Sequence, residues 1–173
     1  AIDAGHRIGS GGSRLLGGNH TAHEALEAAA AEWQGAEAAL FLCSGFTANE
    51  TLFATLPQRG DLIIHDALIH ASVHDGLRLT RADVVSAAHN DVADMDRLIH
   101  DWRSGGGMGR LWIAVESLYS MDGDRAPLAD LFALAERHDA VLIVDEAHAT
   151  GVYGDAEQGL THAHWSAAGG PRP

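Results

Sequence analysis

Lysine is missing from this chain altogether. All eleven cationic side chains among the 173 residues are arginines, set against 24 Asp and Glu, for a formal charge of −13 with the 12 histidines neutral. The absence excludes a P-loop lysine, a Ser–Lys dyad and any Schiff base formed on a lysine of this chain. The shortage of positive charge argues against a nucleic acid or an anionic membrane as partner, since both would be repelled at long range. Cysteine is almost as scarce. The single Cys43 cannot form an internal disulfide, so no oxidising compartment is implied. It lies in an apolar run and reads as a small buried hydrophobe rather than a nucleophile. No apolar run reaches the roughly 18 residues of a membrane span. The opening AIDAGHRIGSGGSR has no basic flank and apolar core of a signal peptide, so the cytoplasm is the expected compartment. What remains is ordinary: 46% hydrophobic residues and a mean hydropathy of −0.05 describe a soluble globular chain. Its length suits one domain, burying roughly 70% of its unfolded surface if it folds alone.

Apolar runs alternate with amphipathic stretches along the chain. A Gly-rich loop over 9–18 leads to Thr21-x-x-Glu24, a capping-box pattern, and Ala25, Leu26, Ala29 and Trp33 then follow helical spacing up to Gly35. Strands are expected over 38–43, 62–64, 111–115 and 141–144, with a weaker one near 84–85. Helices are expected over 47–56, 68–79, 92–103 and 127–138, the last with Pro127 in its first turn, and 104–109 reads as a surface loop. There are no internal repeats. This alternation predicts an α/β fold: a mainly parallel sheet with flanking helices. Ligands of such sheets sit outside the carboxyl ends of the strands. Those ends carry Ser44-Gly45-Phe46, His65-Asp66, Glu116-Ser117 and Asp145-Glu146-Ala147-His148.

Each of these segments has a sharp and a plain reading. Ser44-Gly45-Phe46-Thr47 lies before a helix, where free backbone N–H groups and the helix dipole suit a phosphate; a plain turn is the alternative. Asp145-Glu146-Ala147-His148 spells DEAH, a Walker B sequence, but that reading needs an upstream GxxxxGK[ST] loop, and no lysine precedes it. The other reading is a strand-end carboxylate paired with a cationic ring nitrogen, as the pyridinium of pyridoxal phosphate requires, with a histidine three residues on reaching a ring substituent. His65, His70 and His74 invite a metal, His70 and His74 being i,i+4, yet no zincin pattern supports one. Stacking on a flat cofactor is a better use of one of them, and no metal is expected. Residues 120–124 resemble a fragment of a calcium loop without its terminal Glu and read better as a polar turn. Residues 9–13 are too loose for a nucleotide fingerprint.

Taken in order, the segments GSGGSRLLGGNHTAHEALE (9–27), SGFTAN (44–49), HDALIHAS (65–72), HND (89–91), ESLYSMDGDRAPL (116–128) and VDEAHATGVYG (144–154) resemble the α-oxoamine synthase family of pyridoxal-phosphate enzymes. The resemblance implies part of the large domain of a fold-type I enzyme over 1–159. It implies an acyltransferase whose substrates are an amino acid and an acyl thioester, and a homodimer when complete. The first stretch is most like members that condense a pimeloyl thioester with L-alanine, losing CO₂, in biotin synthesis; relatives use glycine or serine. Carried onto this chain, the resemblance gives Gly45 and Phe46 to the cofactor phosphate, and His70 to stacking on the ring and to the substrate carboxylate. It gives Ser120 and His148 to hydrogen bonds around the ring, and Asp145 to the ring nitrogen. Glu116 matches an acid near the site, and Asn19 and His20 match a segment near the dimer interface.

The family's cofactor-bearing lysine, a phosphate-binding threonine and the small C-terminal domain all belong downstream of residue 159. Residues 160–173 lose helix and strand character and depart from the pattern, so the chain is expected to be an incomplete form with a divergent, frameshifted or truncated tail. A non-catalytic remnant serving only as a binding or dimerisation module is the alternative. The unpaired sheet edge such a chain leaves implies poor solubility when isolated.

Overall fold

The computed structural model describes Gly5 and residues 9–168. These fall into two compact units that divide between Phe41 and Leu42. In the first, a π-helical turn at Arg14–Gly18 precedes helix α1 (Thr21–Gln34), none of whose described residues is buried. The helix is capped one residue earlier than Thr21-x-x-Glu24 suggests. His20 Nδ1 accepts from Ala22 N at 3.1 Å, and His23 Nδ1 accepts in return from His20 N at 3.2 Å, so two imidazoles perform the reciprocal capping that Thr and Glu were expected to supply. Arg14 forks onto Glu27 at 2.5 and 2.9 Å, and Glu27 also accepts from Phe41 N at 2.8 Å. The Arg14 bond, then the Phe41 amide, hold the Glu27 carboxyl at about 2.

The second unit carries the sheet. In chain order it contains α2 (Gly45–Thr55), β1 (Leu62–Asp66), α3 (Ala71–Leu79), β2 (Asp83–Ala87), α4 (Val92–Ser104), β3 (Leu111–Glu116), α5 (Leu128–His138), β4 (Ala140–Asp145) and α6 (Leu160–Ala168). The four strands are all parallel and lie in the order β2-β1-β3-β4. The α/β reading therefore holds, with every expected helix of this unit in place and β2 longer than its two valines suggested.

Side-chain alternation along the strands sorts the helices onto two faces. Leu62, Ile64, Leu111, Ile113 and Val115 pack against Met95 and Ile99 of α4 and Leu131 and Leu134 of α5. Ile63, Trp112 and Ala114 face the other way, onto Phe53 of α2 and Val73 and Leu77 of α3. Every residue of β1 and β3 is buried, as expected of central strands covered on both faces, whereas β4 is half-buried throughout. α2 and α3 meet closely at Gly76. A Cβ there would lie 2.9 Å from Phe53 Cβ and 3.0 Å from the carbonyl oxygens of Asn49 and Glu50.

Three expectations fail. Residues 38–43 form no strand: no described strand pairs with them, and without a ladder their apolar side chains stay out, Leu40 being 72% exposed. Cys43 is accordingly exposed, not a core residue, with Sγ 3.6 Å from Thr47 Oγ1. Residues 160–168 do form a helix, α6, whose first N–H groups at Leu160 and Thr161 are capped by the Glu146 carboxylate at 3.0 and 2.7 Å. That cap comes from a residue distant in sequence, and local pattern could not show it. Residues 169–173 of the expected tail lie outside the described residues.

Candidate functional site

Parallel pairing sets all four strand ends along one edge. Glu116 and Asp145 are register partners at the ends of β3 and β4, and Asp66 pairs with Ala87 at the ends of β1 and β2. The chain leaves β1 toward β2 on one side and β3 toward β4 on the other. The crevice between the ends of β1 and β3 is thus the switch point where open α/β sheets bind ligands.

On one side of this crevice a chain of hydrogen bonds joins three elements. Asp145 Oδ2 accepts from Asn49 Nδ2 at 2.8 Å, and Asp145 Oδ1 accepts from Ala147 N at 2.9 Å. The same Asn49 amide donates to Ser72 Oγ at 3.0 Å, and Ser72 Oγ lies 2.8 Å from His70 Nδ1. His70 is not a helix-interior partner of His74 as i,i+4 spacing suggested. It is the N-cap of α3, its ring accepting from Ser72 N at 3.2 Å, which leaves the imidazole exposed at the mouth of the crevice. His65 is buried beneath, edge-on to His74 at 5.1 Å.

Glu116 draws the remaining groups together. It is 2% exposed, and burial followed by repulsion from Asp145 pushes its carboxyl above the usual range, against the pull of His70 and His148. Glu116, Asp145, His70 and His148 therefore share one electrostatic neighbourhood. His148 is exposed in the turn after β4, and Ser120 is exposed in the turn after β3.

Gly45 and Phe46 open α2 and are exposed. Ser44 Oγ caps Thr47 N at 3.1 Å and Ala48 N reaches the Ser44 carbonyl at 3.0 Å. The N–H groups of Gly45 and Phe46 are left as the first-turn donors without an acceptor in the helix. A Cβ at Gly45 would meet nothing within 4 Å, so the backbone there is open to an approaching anion. Asn49 stands one turn further along the same helix, which ties this N-terminus to Asp145.

An anion-accepting helix end, an acceptor carboxylate with part of its surface free, and an exposed imidazole between them make a donor set matched to a flat ring bearing a phosphate and a protonatable nitrogen. Comparison with known proteins agrees. The family model for aminotransferases of class I and II matches residues 1–169. The chain belongs to that family. Curated relatives include 8-amino-7-oxononanoate synthases of Acidithiobacillus ferrooxidans, 45% identical over 159 residues, and Chromobacterium violaceum, 49% identical over 147. These alignments cover 92% and 85% of this chain but only 40% and 37% of the relatives. The solved serine palmitoyltransferase of Sphingomonas wittichii is 37% identical, with a TM-score of 0.82 over 92% of this chain and 39% of that one. These relatives set the chain among the α-oxoamine synthases, as the motifs indicated, and the family is one of pyridoxal-phosphate enzymes.

Sequence reasoning passed over Asn49 and Ser72. Both lie inside quoted motifs, and Asn49 follows Gly45 at i+4 on the same helix face, the one signal that pointed to it. Elsewhere, Asp96, His100 and His138 converge between α4 and α5, but Asp96 is engaged by His138 at 2.6 Å and by Arg137 at 3.0 Å. No described helix is long and apolar enough to cross a membrane.

Proposed function

We propose that this chain forms the cofactor bed of a pyridoxal-phosphate-dependent acyltransferase that condenses a pimeloyl thioester with L-alanine, with decarboxylation, to 8-amino-7-oxononanoate. The observation that carries the reading is Asp145: half-buried at a strand end, fixed by Asn49 and Ala147, and linked through Ser72 to His70. The identity of the curated relatives supports the finer assignment. Gly45 and Phe46 N–H donate to phosphate oxygens. His70 stacks its ring on the pyridine and meets the substrate carboxylate. Asp145 holds a proton at the ring nitrogen, and His148 and Ser120 hydrogen-bond around the ring. Pyridoxal phosphate, when bound, supplies an electron sink for charge developing at the amino acid's α-carbon.

In this reading residues 1–159 are part of the large domain. The lysine that holds the cofactor covalently and the small domain are supplied by polypeptide outside these 173 residues. The complete protein is a cytoplasmic homodimer, with Asn19 and His20 near its interface. Equilibrium absorbance titration with pyridoxal phosphate tests the bed. Saturable binding that Asp145→Asn weakens, with no lysine adduct trapped by borohydride, is expected; absence of binding refutes it. Condensation assays on a lysine-containing complete protein, offering L-alanine, glycine or serine with pimeloyl thioester, decide the substrate. Faster turnover with glycine or serine would reassign the activity within the family.

A further inference from the structure

The motif His89-Asn90-Asp91 has no part in the cofactor bed, yet it anchors a fully buried carboxylate at the same edge. Asp66, at the end of β1, is fully buried. Its Oδ1 accepts from Leu68 N and faces His89 Nδ1, both at 2.8 Å, and its Oδ2 accepts from Asn90 N at 2.8 Å. The other ring nitrogen, His89 Nε2, lies 2.7 Å from Asp124 Oδ2, to which Asn90 Nδ2 also donates at 2.7 Å. A neutral imidazole has one N–H and one lone pair, so one of two flanking carboxylates would face a lone pair. Only the imidazolium donates to both.

Asp124 closes the turn that carries Ser120. Tyr119 N donates to the Asp124 carbonyl and Gly123 N to the Tyr119 carbonyl, both at 3.0 Å, and Leu118 bridges Arg125. Tyr119 packs edge-on to His89 with ring centroids 4.5 Å apart. We propose that His89 is a positioning residue: as an imidazolium bonded through both nitrogens, it clamps the 119–124 turn to the end of β1 and so fixes the backbone that presents Ser120. This rests on the reading of Ser120 as a cofactor contact.

The groups facing His89 are the carboxylates of Asp66 and Asp124, the phenol of Tyr119, which burial keeps neutral, and the Asn90 amide nitrogen, 3.3 Å from Nε2 but donating to Asp124 at 2.7 Å. Asp91 and Asp94, on its own turn, are spent on the first turn of α4: Asp91 accepts from Asp94 N at 2.9 Å, and Asp94 accepts from Ala88 N at 2.9 Å and pairs with Arg97. Partial burial alone would lower the His89 pKa, but the bonds to Asp66 and Asp124 outweigh it and the net shift is upward. A raised folded-state pKa means the clamp is complete below about 6.5, the ordinary histidine value, and is lost as pH rises through the shifted midpoint.

Nuclear magnetic resonance on the 173-residue chain tests this without the cofactor. The His89 ring is expected to titrate above the ordinary value, and Asp124→Asn to lower that midpoint by about one unit. Amide exchange at Tyr119 and Gly123, corrected for base catalysis, is expected to rise about tenfold across the midpoint and to be raised at every pH in His89→Phe. A midpoint at or below the ordinary value, or unchanged exchange in His89→Phe, overturns the clamp; if the Phe variant does not fold, Asp124→Asn carries the same comparison. In pyridoxal-phosphate titrations, His89→Phe and Ser120→Ala are expected to weaken binding by similar factors, with little further loss when combined. Full affinity in His89→Phe overturns the positioning role. Failure of the wild-type chain to bind counts against the cofactor reading alone, and the exchange measurements still decide the clamp.

Discussion

Two aspartates end two strands of the same sheet, and they have opposite fates. Asp66 closes β1 with no exposed surface, its oxygens met by Leu68, Asn90 and His89. Asp145 closes β4 half-buried, with two donors, Asn49 and Ala147, and surface left over. A carboxylate whose acceptor sites are filled from its own chain is part of the scaffold. One that is oriented but only partly satisfied is available to a ligand. Among the described strands, β1 is flanked by β2 and β3, whereas β4 is paired with β3 alone.

The comparison is broken most severely by removing the filled member. Asp66→Ala strips the acceptor from two backbone N–H groups and a charged ring, and is expected to cost about 3 kcal/mol, read as a lowered urea midpoint. A loss below about 1 kcal/mol would mean that Asp66 is no scaffold element. Next comes Gly76→Val, which drives a branched side chain into Phe53 and the backbone of α2. It is expected to cost about 2 kcal/mol despite valine's better helix propensity, and to disturb Asn49 and hence Asp145. Asp145→Asn should separate the two aspartates cleanly. Stability stays within about 0.5 kcal/mol, while pyridoxal-phosphate affinity falls about 10- to 100-fold, the worth of one charge-assisted hydrogen bond. Equal losses of stability in Asp145→Asn and Asp66→Ala would erase the distinction.

The smallest effect lies outside the sheet, at the Arg14–Glu27 pair. Glu27 titrates at about 2 in the folded chain, so its stabilising contribution is present above the ordinary carboxylate value and is lost as pH falls from there through about 2. Arg14→Gln is expected to return the Glu27 midpoint toward the ordinary value. A side-chain carbonyl titration by magnetic resonance reads the shift directly.

Much of the scaffold was legible in the sequence. β1 and β3 open as runs of apolar residues, over 62–64 and 111–115, because both of their faces are covered. The helices α4 and α5 show their stripes because one face of each meets the sheet. The same logic misled at 38–43, where an apolar run promised a strand that the described sheet does not contain. The site was legible in outline, since strand ends could be located before any contact was known. Its wiring was not: the Asn49–Asp145 bond joins residues 96 apart, and no local spacing encodes it. The Glu146 cap on α6 was missed for the same reason, whereas the His20 cap is local and was missed because Thr21 and Glu24 offered the commoner capping residues one position on.

The strand order also sets a schedule for synthesis. β1 emerges early but sits between β2 and β3, so Leu62 must wait first for Asp83 and then for Leu111 before both of its edges are paired. Until then the apolar Leu62-Ile63-Ile64 stretch stands with an open edge, and pairings this distant in sequence form slowly. A ribosome making this chain therefore carries an unfinished, adhesive strand until β3 has left the exit tunnel, and slow translation before Leu111 would prolong the interval in which chains aggregate.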